Sequence, residues 1–104
     1  MYVAMNRFRI AIGHEAAFED VWKTRDSSLA DNAGFKEFKL LRGETVAGEG
    51  YTLFVSSSIW ESRDAFIAWT KSDNFRAAHK SAGDNRAMYL GPPKFEGFSA
   101  VEGA

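Results

Sequence analysis

The sequence predicts a single α+β domain over residues 1–104, a four-stranded antiparallel sheet with helices on one face. Three observations predict it. Four stretches read as strands, with apolar side chains alternating at a period of two in the first and last; apolar residues recur at three- and four-residue spacing after the first and third, and glycine- and proline-bearing turn signals part the elements. A chain of 104 residues is the size of one domain, and a monomer of that size buries about two-thirds of its unfolded surface, so an intersubunit interface would add to its modest core.

In the first stretch Tyr2, Ala4, Phe8 and Ile10 point to one face, and Val3, Met5, Arg7 and Arg9 to the other. Asn6 breaks the pattern by falling in phase with the apolar set. Gly13 ends this strand, and Phe18, Val21, Trp22 and Arg25 then give a helix from Glu15 to about Asp26–Ser28. After Asn32-Ala33-Gly34 a second strand is expected from Phe35 to Arg42. The stretch Gly43–Gly50, with three glycines, reads as a polar loop leading to a third strand over Tyr51–Trp60. Arg63–Lys71 reads as a helix with Ala65, Phe66 and Trp69 on one face. Ser72 or Asp73 reads as the cap of a further short helix through Phe75, Ala78, His79 and Ala82. Gly91-Pro92-Pro93 stops the helical region, and Lys94–Val101 alternates as a last strand.

The order strand, helix, strand, strand, helix, strand is the ferredoxin-like arrangement. Its helices cover one sheet face only, and the apolar residues of the other face predict sheet-on-sheet packing in a homodimer.

Thirteen Lys and Arg against fourteen Asp and Glu leave a net charge of −1, so nucleic acid is not an expected partner. The chain has no cysteine, which removes disulfides, thiolate metal sites and cysteine nucleophiles, and leaves metal ligation to His, Asp and Glu. Asn6, Arg7 and Arg9 interrupt the opening segment, no later apolar run reaches membrane-spanning length, and a cytoplasmic location without membrane attachment is expected. Neither a phosphate-binding glycine loop nor a nucleophile elbow is present.

Few residues remain that could carry chemistry. His14 stands at a helix N-terminus, where an imidazolium is disfavoured, and reads as a surface residue. His79 lies on a helical face of otherwise small or apolar side chains, as a structural histidine or a ligand. Asn6 needs a hydrogen-bond partner, in the backbone or in a ligand, because a buried unpaired amide costs about 1–3 kcal/mol. Trp22, Trp60 and Trp69 are by default core residues.

Met5-Asn6-Arg7, Ala65-Phe66-Ile67-Ala68-Trp69 and Lys71-Ser72-Asp73-Asn74-Phe75-Arg76-Ala77-Ala78-His79-Lys80 together resemble the IsdG-type haem-degrading monooxygenases. These belong to the antibiotic biosynthesis monooxygenase superfamily of dimeric α+β barrels. The resemblance implies that His79 binds haem iron, that Asn6 donates a hydrogen bond toward oxygen on the distal side, and that Trp69 presses on and ruffles the porphyrin. Trp22 and Arg25 match an aromatic residue and an arginine found near the haem in relatives, and Phe75 stands one turn from His79. The Ala82–Gly91 loop is short beside that of some members. Haem would be both substrate and oxygen-activating centre, with molecular oxygen as co-substrate, and its breakdown would release iron and a linear tetrapyrrole. The electrons would come from an external reductase, because the chain carries no flavin or nicotinamide motif. Two other readings stay open: a cofactor-independent monooxygenase of the same superfamily acting on a small aromatic or polyketide substrate, and a non-catalytic haem carrier.

Overall fold

The computed structural model describes residues 1–24, 29–72 and 86–104. Strand β1 (Tyr2–Ala11) lies near the middle of a four-stranded sheet. It pairs antiparallel with β3 (Tyr51–Trp60), from Tyr2 opposite Trp60 to Ala11 opposite Tyr51. On its other side it pairs with β4 (Lys94–Ser99), from Tyr2 opposite Ser99 to Arg7 opposite Lys94. Strand β2 (Phe35–Val46) adds to the free edge of β3, giving the order β2-β3-β1-β4 of the expected ferredoxin-like sheet. Helix α1 (Glu15–Thr24) follows β1 and α2 (Arg63–Thr70) follows β3, and single helical turns occur at Leu29–Asp31, Ala47–Glu49 and Arg86–Met88.

The period-two alternation decides which face the helices cover. Even-numbered residues of β1 and β3 turn inward, and Tyr2, Ala4, Phe8, Ile10, Phe54 and Trp60 are all buried. They form two clusters. One joins Tyr2, Ala4, Leu29 and Trp60 to Phe66 and Trp69 of α2. The other joins Phe8, Ile10 and Phe54 to Phe18 of α1 and to Met88. Helix α2 starts where Ser62 caps it, its hydroxyl accepting from the Ala65 N–H at 3.1 Å. At the start of α1 Glu15 places a carboxylate where the helix dipole favours negative charge.

Two strand boundaries differ from expectation. The second strand does not end at Arg42 but runs through Gly43 to Val46, with an irregular register between Arg42 and Thr45. A Cβ on Gly43 would lie 3.3 Å from both the Cβ and the carbonyl oxygen of Leu53, so the close approach of β3, rather than a turn, accounts for this glycine. The last strand stops at Ser99, short of Val101. The end of the first helix beyond Thr24 and the short helix expected from Ser72 or Asp73 to Ala82 fall in or run into segments outside the described residues.

The second sheet face is not covered by any described element. Val3, Met5, Val55 and Ile59 are half-buried there, while Leu41 and Phe98 are 44% and 49% exposed.

Candidate functional site

The two clusters on the helix-covered face do not meet along the whole sheet. Between Ala4 and Phe8 of β1 stands Asn6, opposite Ser56 on β3 and Phe95 on β4, and Ser56 is in turn opposite Leu40 on β2. The row Leu40, Ser56, Asn6, Phe95 therefore crosses the sheet with a polar centre and apolar ends, at about 4.8 Å per strand. The row beside it is Phe38, Ser58, Ala4 and Gly97. Its small side chains keep the sheet surface low, and Gly97 leaves the space taken by the Tyr2 hydroxyl.

Aromatic rings border this floor. On the β2 side Trp22 of α1 stacks on Phe38 with centroids 5.5 Å apart and planes 13° apart, which links the two clusters. Trp22 also meets Phe8 edge-on at 5.7 Å. On the β4 side Phe66 of α2 stacks on Phe95 at 5.6 Å with planes 7° apart, and Phe95 stays 48% exposed. Trp69, one turn further along α2, is 9% exposed and packs on Trp60 at 5.5 Å and on Phe66 at 6.0 Å.

The polar groups of the floor are unequally engaged. The Trp60 indole N–H donates to the Ser58 hydroxyl at 3.0 Å, both residues being buried. Among the described residues neither the Asn6 amide nor the Ser56 hydroxyl makes a side-chain hydrogen bond, although Asn6 is half-buried and Ser56 only 6% exposed. No fully enclosed side-chain nitrogen or oxygen among these residues lacks a partner, so both groups border accessible space. A polar, unengaged centre between aromatic walls can take a flat apolar molecule that carries a hydrogen-bonding atom near its middle.

Of the residues singled out in the sequence, Asn6 thus lies at the centre of the floor, Trp22 at its β2-side wall and Trp69 in the aromatic cluster of α2. Arg25, Phe75 and His79 lie outside the described residues. His14 is partly exposed at the turn into α1, and among the described residues no group of three His, Asp or Glu side chains could hold a metal. Ser56 and Ser58 were missed. The signal was available, since the run Ser56-Ser57-Ser58 interrupts an otherwise largely apolar strand and two of its members are in phase with Phe54 and Trp60.

Away from the floor, Glu15 ties α1 to the sheet. Its carboxylate accepts from the Gly13 N–H at 2.7 Å and from the Thr52 hydroxyl at 2.9 Å. Thr52 has one hydroxyl proton, so the contact of 2.8 Å between Thr45 and Thr52 has Thr45 as donor. The backbone N–H of Glu15 itself, then Thr52 and Gly13, hold the Glu15 carboxyl below its ordinary value. Burial raises the Tyr89 hydroxyl above its ordinary value beside Phe8 and Phe18.

Sheet, helices and floor define an α+β domain whose helix-covered sheet face carries the candidate site. The chain belongs to the antibiotic biosynthesis monooxygenase family, whose model matches residues 1–81. Among solved structures it is similar to MhuD, a haem-degrader from Mycobacterium tuberculosis with two haems bound in its active site. The identity is 24%, with 97% of this chain and 96% of that one covered and a TM-score of 0.72. A MhuD variant with two manganese protoporphyrin IX molecules per active site is 25% identical over 97% of this chain and 95% of that one, with a TM-score of 0.66. SnoaB, a cofactor-independent oxygenase from Streptomyces nogalater, is 25% identical over 97% of this chain and 93% of that one, with a TM-score of 0.68. Membership of the family makes the chain a monooxygenase-type oxidoreductase.

Proposed function

We propose that this monooxygenase degrades haem, opening the macrocycle with molecular oxygen and electrons from an external reductase to release iron and a linear tetrapyrrole. The observation that carries the reading is the Asn6 amide, half-buried at the middle of the helix-covered face with no side-chain partner among the described residues. Haem is the substrate and also supplies the iron at which oxygen is activated.

The chain's own residues have separate tasks. His79 holds the iron through a neutral imidazole nitrogen, with Phe75 and Arg25 near the macrocycle; the roles of His79 and Phe75 rest on the resemblance of the final helical segment, and that of Arg25 on the match of the first helix to an arginine near the haem in relatives. Asn6 donates its amide hydrogen toward oxygen from the sheet side, a preorganised donor that needs no reorientation during the reaction. Trp22 forms one aromatic wall, and Trp69 presses on the porphyrin from α2. Likeness to MhuD, which binds a porphyrin in its active site, supports haem as the substrate.

A second reading has its own support in the likeness to SnoaB: oxygenation of a small aromatic or polyketide substrate in the same cleft without a cofactor. Titration with haem, followed by reductant in air, separates the cases. The proposed enzyme gives a haem absorbance band that bleaches with release of iron. A stable band means a carrier, and no band means the cofactor-independent reaction. His79→Ala should abolish tight haem binding, whereas Asn6→Ala should bind haem and turn over about 10- to 1,000-fold more slowly.

The protein acts as a cytoplasmic homodimer in this reading. Val3, Met5, Val55, Ile59, Leu41 and Phe98 would be covered sheet against sheet by a second copy. Sedimentation that finds a folded monomer at low concentration would refute the dimer. Among the described residues no helix is long and apolar enough to cross a membrane.

A further inference from the structure

We infer that Ser56 is a second hydrogen-bond donor to the atom that Asn6 faces, so that the site grips an oxygen acceptor at the centre of its substrate from two adjoining strands. The inference rests on the proposed function for the identity of that substrate, and on the sheet register for the position of the donor. Ser56 stands directly opposite Asn6 in the antiparallel pairing of β1 and β3. Side chains of such a pair project from the same face with Cβ atoms about 4.5–5.5 Å apart, close enough for both to reach one atom above them.

The three serines of β3 divide by what engages them. Ser58 is occupied by the Trp60 indole, and Ser57 belongs to the opposite sheet face, where it pairs with Met5 and Lys39. Ser56 is over nine-tenths buried, and its hydroxyl has no partner among the described residues. A valine would suit this inward strand position better if packing were the only demand, because a branched apolar side chain fills a half-buried strand face and a hydroxyl does not. A hydroxyl bordering accessible space beside an equally unengaged amide is explained by a ligand that satisfies both. Leu40 and Phe95 at the two ends of the row offer no competing polar group. A serine hydroxyl rotates freely and lacks a fixed acceptor here, so its proton is available to the ligand.

The acceptor is an oxygen-like atom held over the middle of a flat apolar body. A diatomic ligand on haem iron presents one, and so does the carbonyl of a polycyclic quinone. The test uses both. Carbon monoxide bound to the ferrous haem-loaded protein reports donors through its C–O stretching frequency and its dissociation rate. Ser56→Ala should change the frequency and speed dissociation by about 5- to 10-fold, the loss of one net hydrogen bond, with the haem affinity unaltered. Ser56→Thr, which keeps the hydroxyl, should restore the parent values, and Asn6→Ala should shift them in the same direction as Ser56→Ala. If Asn6→Ala shifts the spectrum and Ser56→Ala matches the parent, the Ser56 inference is overturned while the haem reading stands. If the parent takes up no haem, the haem reading fails and 1,8-dihydroxyanthraquinone becomes the probe. Its affinity, followed by tryptophan fluorescence, should then fall about 5- to 10-fold in Ser56→Ala and recover in Ser56→Thr. Equal affinity in parent and Ser56→Ala, or a parent that binds neither probe, overturns the inference.

Discussion

Replacing Ser58 with alanine removes the acceptor of the buried Trp60 indole N–H. The Trp60 side chain is fully buried, and its indole N–H donates to the Ser58 hydroxyl at 3.0 Å. Alanine leaves that N–H buried and unsatisfied, at a cost of about 1–3 kcal/mol, taken here as about 2. An unfolding entropy of about 2.1 cal/mol/K per residue comes to about 0.22 kcal/mol/K for this chain, so Tm should fall by about 9 °C. Trp60→Phe deletes the donor together with part of the ring. It is destabilising in its own right, through lost contact with Phe35, Phe66 and Trp69. The double variant should be less unstable than the sum of the two, by about 1–2 kcal/mol, because the orphaned donor is then gone. Urea unfolding followed by circular dichroism, at one fixed protein concentration because association shifts the midpoint, measures all four corners of the cycle. Additivity within about 0.3 kcal/mol would refute the reasoning, since it would mean the bond contributes nothing once solvent and packing are counted.

Glu15→Gln should lower stability at neutral pH and make little difference in acid. The folded-state carboxyl sits below its ordinary value, so its contribution is complete above the ordinary carboxylate range and is lost as pH falls through the depressed value. Urea midpoints of parent and variant should therefore converge on acidification, and a constant gap would argue against the charge. Gly97→Ala should cost about 1–3 kcal/mol, because the new methyl falls on the Tyr2 hydroxyl, and Tyr2→Phe in the same chain should recover part of the loss. Trp69→Phe should cost about 1–2 kcal/mol through weaker packing on Trp60 and Phe66. Resonance Raman spectra of the haem-loaded Trp69→Phe protein should also show a flatter porphyrin, and an unchanged out-of-plane signature with unchanged products would confine Trp69 to the core.

Local patterning was enough to locate the four strands and the two described helices, together with most of their inward faces. The alternation of Tyr2, Ala4, Phe8 and Ile10 exposed Asn6 as a misfit, and the structure does hold Asn6 on the buried side of β1. Periodicity is a local property, so it is legible wherever one face of an element meets a core. Gly43 was misjudged for the same reason: a glycine between polar residues looks locally like a turn, and only the approach of Leu53 across the strand pair reveals a tight fit within β2. What the tertiary structure decided was pairing between segments far apart in the chain. The register that sets Ser56 opposite Asn6, the stacking of Trp22 on Phe38 and the seat of Trp69 against Trp60 each join elements separated in sequence. No local pattern carries such information, because which strand lies beside which, and in what phase, is fixed only when the two aromatic clusters are buried together.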